Sequence, residues 1–298
     1  MSEKPLPQTE DSDPRYYAIE DWPTKVAALA LWESQMAAAA ALKPALPAIA
    51  AAAEAAATRL GTHGRLVYCG AGTSGRLGVL DASELPPTFD WPQERVVFCM
   101  AGGTAALTRS VENAEDRTDL AEADIAALKL TDCDVVIAVA ASGTTPYALA
   151  CAAQARVRWA LTVGIANSAG APLLSACDHA ILAETGPEAI AGSTRLKAGT
   201  AQKMALNLFS TLTMIRLGRV WRGQMVDMVA RNEKLRRRAL RMVMMLTGCS
   251  EAAARNALAA AGGKAKLAIL LVHGLDADEA TARLAQYKGN LGRALRGA

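Results

Sequence analysis

The residues with the clearest chemical potential are hydroxyls that follow apolar runs. Thr73 and Ser74 lie in Gly70-Ala71-Gly72-Thr73-Ser74-Gly75, after the run Arg65–Cys69, and Ser142, Thr144 and Thr145 follow Asp134–Ala140. Both groups lead into segments patterned as helices, and the free N–H groups and dipole of a helix start favour an anion. Hydroxyls from two loops, joined by backbone amides around Gly72, suit a single phosphate group and need no metal. The competing reading is that Ser and Thr merely cap their helices. Two carboxylates stand close to these groups in sequence: Glu84, just before Leu85-Pro86-Pro87, and Glu115, within Val111-Glu112-Asn113-Ala114-Glu115-Asp116. A carboxylate beside a bound phosphate is electrostatically unwelcome, and general acid–base catalysis is a reason to keep one there. Taken singly, each also reads as a solvated or helix-terminal charge. Lys203, after Gly199-Thr200-Ala201-Gln202, either reaches the anion or lies exposed on its helix.

Other chemistries fit less well. The first loop satisfies G-x-G-x-x-G, but a dinucleotide site needs an acidic residue at the end of the next strand. That strand ends Cys99-Met100-Ala101-Gly102-Gly103, and Glu94 lies at its wrong end. No Gly-Lys-Ser/Thr follows the loop, so the P-loop pattern also fails. No Ser-His-Asp or Cys-His arrangement competes, and His63, His179 and His273 have no metal-ligand spacing. The six cysteines, Cys69, Cys99, Cys133, Cys151, Cys177 and Cys249, form no C-x-x-C pair and read as buried, reduced thiols of a cytoplasmic protein.

A net charge of +3 is too small for a nucleic-acid partner, and Lys234-Leu235-Arg236-Arg237-Arg238 reads as a solvated helix face. The N-terminal stretch lacks the basic start and apolar core of a signal peptide. The Ala-rich run Met36–Ala57 is interrupted by Lys43, Pro44, Pro47 and Glu54, which argues for two amphipathic helices rather than a membrane span.

Strands and helices alternate along the middle of the chain. Helices are expected over about 22–42 and 47–60, then strands at 65–69, 95–100, 134–140, 160–166 and 179–183. A helix should run through Leu77 to Ser83, with Glu84 at its end, and another from Gly103 to about Asn113. A further helix should start with Pro146 in its first turn. This pattern predicts an α/β fold with a doubly wound, mainly parallel sheet, whose ligands bind outside the carboxyl ends of the strands. The loops after Cys69, Met100 and Ala140 should then share one crevice. A long helix should run from Gly199 to Val220, followed by charged helices with breaks at Gly248 and Gly262-Gly263. The expected organisation is an N-terminal arm and helices (1–55), an α/β domain carrying the anion-binding loops (56–220) and a small all-helical C-terminal domain (221–298).

The stretch Gly70–Thr88 closely resembles the first signature of the N-acetylmuramic acid 6-phosphate etherases, which have the sugar isomerase (SIS) fold. Further matches follow in the family's order: Ala101-Gly102-Gly103, Val111–Asp116, Ala140–Tyr147, Gly186-Pro187-Glu188, Gly192–Lys203, and Met225-Val226-Asp227 with Asn232. The resemblance implies cleavage of the lactyl ether of N-acetylmuramic acid 6-phosphate by water, giving N-acetylglucosamine 6-phosphate and D-lactate. It places the family's acid–base carboxylate at Glu84 and its second active-site glutamate at Glu115. It also implies a homodimer with the active site near the subunit interface. Two positions depart from the family pattern: Thr144 stands where Arg is usual, and Thr104 where an acidic residue is common. The arm Thr9–Arg15 retains only traces of the usual Thr-Glu and Asn-Pro pattern. The rival readings are a non-catalytic SIS sugar-phosphate sensor, which would tolerate loss of the glutamates, and an aldose–ketose phosphate isomerase, against which the paired signatures around Glu84 and Glu115 argue.

Overall fold

Short runs of apolar residues, buried along their whole length, make the central strands of this protein. The computed structural model describes residues 8–228 and 233–297; Asn232, part of the family resemblance, lies outside them. Strands β1 (Leu66–Gly70), β2 (Val96–Met100), β3 (Val135–Val139), β4 (Leu161–Ala166) and β5 (His179–Leu182) form one parallel sheet in the order β2-β1-β3-β4-β5. Every residue of β1, β3 and β4 is buried, as expected when helices cover both faces of a parallel sheet. The edge strand β2 alternates more, and Phe98 is 40% exposed there.

Helices α1 (Thr24–Ala40) and α2 (Leu46–Leu60) precede the sheet. By length and composition Thr24–Leu60 would suffice to cross a membrane. The turn Lys43–Ala45 divides it, however, and Ile49, Ala52, Ala53, Ala56 and Leu60 on α2 are core residues, with α2 packed on β3, β4 and β5. Next come α3 (Gly72–Phe89), α4 (Thr118–Ala127), α5 (Pro146–Val157) and α6 (Pro172–Ala176) as crossovers, and then α7 (Lys197–Arg216). Helices α4 and α5 pack together, with Cys69, Cys99, Ile125, Tyr147 and Cys151 in one buried cluster between them and the sheet. On another part of the sheet the buried Tyr68 hydroxyl donates to Asp81 of α3 (2.8 Å), and Ser210 of α7 donates to the same carboxylate (3.1 Å).

Three expectations about elements change. Helix α3 starts at Gly72 instead of after a loop, and it continues through Pro86 and Pro87 to Phe89. Proline's fixed φ is compatible with a helix, and the pair, close to the C-terminal end, removes N–H donors from its last turns. The segment after β2 makes only short 3-10 turns, Gly103–Leu107 and Ala114–Asp116, because Gly102, Gly103 and Asn113 adopt positive φ. The regular helix there is α4, further on. Helix α7 ends at Arg216, and Val220 opens a two-stranded ribbon, β6 (Val220–Trp221) with β7 (Gln224–Met225). Among the cysteines, Cys69, Cys99 and Cys151 are buried as expected, whereas Cys133 is exposed in the turn before β3; all six are free thiols.

The chain forms two compact units: Met1–Ala82 with Glu94–Ser210, and Ser83–Gln93 with Thr211–Ala298. The second unit contains α8 (Glu233–Thr247), α9 (Glu251–Ala260), α10 (Ala265–Val272), α11 (Ala277–Gln286) and α12 (Leu291–Arg296). Breaks fall at Gly248 and Gly262-Gly263, all three with positive φ. The core of these helices is Met242, Val243, Leu246, Ile269, Leu270 and Leu291. Arg236 and Arg237 both pair with Glu233 on the outer face of α8, which makes the basic stretch a solvated helix face.

Candidate functional site

The order β2-β1-β3 places the sheet's switch point between β1 and β3, where the chain first turns to one side and then to the other. Gly70 and Val139 are register partners at the carboxyl ends of these two strands. The segments carrying Thr73, Ser74, Ser142, Thr144 and Thr145 therefore leave the sheet side by side.

Close packing explains the glycines of the first segment. A Cβ on Gly75 would lie 2.7 Å from the Gly70 carbonyl oxygen and 2.3 Å from the Met100 sulfur, and a Cβ on Gly70 would lie 2.9 Å from the Gly75 nitrogen. The first turn of α3 thus rests directly on the end of β1. Gly72, Thr73 and Ser74 belong to that turn, so their N–H groups are among those an α-helix leaves unpaired. Ser74 is nearly buried, at 8% exposure. A Cβ on Gly199 would touch the Thr73 methyl at 3.4 Å, which brings the start of α7 against the start of α3. That start is capped from within the fold: the buried Glu188 carboxylate accepts from the backbone N–H groups of Lys197 and Ala198, both at 2.9 Å. The buried Lys197 lies in the fields of Glu188, Asp13 and Arg15, and burial is the largest influence lowering its pKa.

In the second segment Ser142 and Thr144 share a hydroxyl–hydroxyl bond of 2.8 Å, and the Thr144 N–H donates to Ser142 Oγ (3.2 Å). Thr145 occupies the N-cap position of α5, with Pro146 following, yet its side chain makes no capping bond. Helix capping therefore does not account for the Thr145 hydroxyl.

A cavity of about 190 Å³ opens beside the first turn of α3. Gly72 and Arg76 line it on one side, and Ser110, Glu112, Asn113 and Glu115 on the other. The left-handed Asn113 (φ 57°) turns the chain so that Ala114 is buried while Glu115 stays exposed to the cavity. The Arg76 guanidinium donates from Nε to the Ala106 carbonyl (2.9 Å) and from Nη2 to the Arg109 carbonyl (3.3 Å). The segment Ala106–Arg109, which leads into Glu115, is thereby tied to α3.

The cavity thus joins the segments after β1 and β2; Ser142, Thr144 and Thr145 do not line it. Glu84 does not line it either. It is exposed on α3, in the segment Ser83–Gln93, twelve residues beyond Gly72. Lys203 is exposed on α7, and its charge is felt by Asp81, whose pKa burial raises against the bonds from Tyr68 and Ser210. Among the described residues no group of three His, Cys, Asp or Glu side chains could hold a metal ion.

Sequence reasoning did not single out Arg76 or assign Glu188 a task. Both sit inside quoted motifs, Gly72–Gly78 and Gly186–Glu188, but a lone Arg or Glu carries no spacing signal. Only the fold shows what each faces.

Comparison with known proteins gives a consistent picture. Residues 48–156 match the family described as the glucokinase regulatory protein N-terminal SIS domain, and residues 107–212 match the SIS domain. An N-acetylmuramic acid 6-phosphate etherase from Deinococcus radiodurans is 50% identical over 278 residues, covering 93% of this chain and 91% of that protein. One from Streptomyces avermitilis is 48% identical over 288 residues, covering 96% and 93%. Among solved structures, a candidate phosphosugar isomerase involved in capsule formation from Bacteroides fragilis superposes with a TM-score of 0.51 at 18% identity. It covers 65% of this chain and 91% of that one, a likeness of fold.

Proposed function

This chain belongs to the N-acetylmuramic acid 6-phosphate etherase family, and on that premise we propose that it is a carbon–oxygen lyase acting on N-acetylmuramic acid 6-phosphate in cell-wall amino-sugar recycling. It releases D-lactate and N-acetylglucosamine 6-phosphate and needs no metal or cofactor. The observation that carries this reading is the cavity that Glu115 lines together with Gly72 and Arg76 of the first turn of α3.

The phosphate sits among Gly72, Thr73 and Ser74 of α3 and Ser142, Thr144 and Thr145 before α5. Helices α3 and α5 start beyond adjacent strands, and the Thr145 hydroxyl does not cap its own helix. Lys203 adds positive charge from α7. In the open-chain sugar the C2 proton lies next to the C1 aldehyde, and the lactyl ether is on C3. Glu115 takes the C2 proton. The electron pair forms the C2–C3 double bond as the C3–O bond breaks, and Glu84 as acid delivers a proton to the departing ether oxygen. Water then adds at C3, giving a proton to Glu84, while C2 recovers one from the acid form of Glu115. An ordinary carboxylate, of pKa about 4, is a weak base for a carbon acid. The aldehyde oxygen must therefore be polarised, and substrate filling the cavity must strip water from Glu115.

The active form is a cytoplasmic homodimer with its site near the subunit interface. An apolar stripe on α1, with Val26, Leu29, Trp32 and Met36 each at least half exposed, supports a covered face. A site near that interface draws its two glutamates, Glu84 and Glu115, from different subunits. The decisive assay is D-lactate release from N-acetylmuramic acid 6-phosphate. The wild-type protein should release it and Glu84→Ala should not; no lactate from the wild type would favour a sugar-phosphate sensor, the reading closest to the glucokinase regulatory protein match. The division of roles is tested by solvent exchange. Glu84→Ala should still exchange the C2 proton with deuterated water, and Glu115→Ala should not.

A further inference from the structure

We propose that Arg76 binds the carboxylate of the substrate's lactyl group and so selects the ether substrate over sugar phosphates that lack it. This rests on the etherase reading above. The substrate carries two anions, the phosphate on C6 and the carboxylate of the lactyl group on C3, and they lie on different sides of the sugar. The hydroxyls and helix starts at the switch point answer the first. For the second, the cavity must offer positive charge in the presence of Glu112 and Glu115, which would otherwise repel it.

Arg76 is the one cationic side chain among the described residues lining that cavity. It makes no ion pair with any described residue; its two hydrogen bonds go to the neutral carbonyls of Ala106 and Arg109. A guanidinium has five N–H donors. With Nε and one Nη2 hydrogen engaged, both hydrogens of Nη1 and one of Nη2 remain, the fork that accepts a carboxylate through two parallel bonds. The engaged edge also fixes the fork. Because Arg76 is tied to the segment that leads into Glu115, a lactyl carboxylate held there sets C3 and its neighbour C2 beside the base. Lysine, a point charge without a fork, could hold the carboxylate only with looser orientation.

The test compares wild type with Arg76→Gln and Arg76→Lys, using N-acetylmuramic acid 6-phosphate as substrate and D-lactate and N-acetylglucosamine 6-phosphate as separate competing ligands. Losing a charge-assisted, two-point contact should raise KM for the substrate about tenfold or more and abolish inhibition by D-lactate. Binding of N-acetylglucosamine 6-phosphate, which has no lactyl group, should stay within about twofold, the scatter allowed for a group that does not touch it. Arg76→Lys should recover part of the loss in KM. A chemical counterpart needs no variant: on the wild-type protein the lactyl amide of the substrate should lose about as much affinity as Arg76→Gln costs the acid, and Arg76→Gln should no longer distinguish amide from acid.

Equal weakening of both product ligands in Arg76→Gln, or equal binding of acid and amide by the wild type, would make Arg76 a structural staple and overturn the proposal while lactate release continued. A wild-type protein that releases no D-lactate would overturn the etherase reading itself, and this proposal with it.

Discussion

Gly75→Ala tests whether the hydroxyl site depends on direct contact between α3 and β1. The added Cβ would stand 2.7 Å from the Gly70 carbonyl oxygen and 2.3 Å from the Met100 sulfur. The thioether of Met100 can swing aside, but the carbonyl belongs to the strand and cannot. A carbon–oxygen contact relaxes at about 3.3 Å, so the first turn of α3 must lift by roughly 0.6 Å and carry Thr73 and Ser74 with it. Overpacking of this kind costs about 1–3 kcal/mol, which lowers Tm by roughly 2–10 °C in a chain of this size. A displacement of that order in phosphate donors should also cut kcat/KM about tenfold or more, since a misplacement near 1 Å can cost about a hundredfold. Thermal unfolding and initial rates of D-lactate release measure both. Gly78→Ala is the control: its Cβ would lie 3.3 Å from the Tyr68 Cβ, and the gain of alanine over glycine inside a helix, about 0.5–1 kcal/mol, offsets that contact. Wild-type Tm and wild-type kcat/KM in Gly75→Ala would refute the argument.

Other consequences follow from the same geometry. Mixing and co-refolding Glu84→Gln with Glu115→Gln, each inactive alone, should restore about a quarter of wild-type lactate release, because half the dimers are mixed and one of their two sites is intact; no recovery would place both glutamates in one chain's site. Glu188→Ala removes the acceptor of the Lys197 and Ala198 N–H groups and leaves both donors of the first turn of α7 without it. It should cost about 2–4 kcal/mol in urea unfolding. Asp134 joins the starts of β1 and β3: burial raises its pKa, but the hydrogen bonds from Arg65 and Thr131 outweigh this and hold it below its ordinary value. Its stabilisation is therefore present above about pH 4, the unfolded value, and is lost as pH falls through the lower folded one. Asp134→Asn should be less stable than wild type at pH 7, and the difference should shrink as the pH falls below about 4; a constant difference would contradict the assignment.

The strands were legible because a strand buried on both faces must be apolar throughout, as Leu66–Gly70 and Val135–Val139 are. That the segments after β1 and β3 leave the sheet side by side was legible for a related reason: in a parallel sheet, carboxyl-end segments at a switch point are neighbours whatever their sequence separation. The segment 101–116 was harder. Its apolar residues suggest a helix, yet left-handed Gly102, Gly103 and Asn113 break it into turns, and those turns bring Glu115 to the cavity. Pro86 and Pro87 misled in the other direction, since proline removes hydrogen bonds but keeps a helical φ. Arg76 was invisible to motif reasoning because what singles it out, hydrogen bonds to neutral carbonyls and no ion pair among the described residues, appears only in the fold.

The most direct test of the elimination mechanism follows atoms rather than rates. The reaction is run in water enriched in both oxygen-18 and deuterium, and the two products are separated and weighed by mass spectrometry. Elimination followed by hydration predicts oxygen-18 in the C3 hydroxyl of N-acetylglucosamine 6-phosphate, deuterium at its C2, and D-lactate that keeps the original ether oxygen. Oxygen-18 in the lactate, with an unlabelled sugar, would mean that the other carbon–oxygen bond breaks and would contradict the roles given to Glu84 and Glu115.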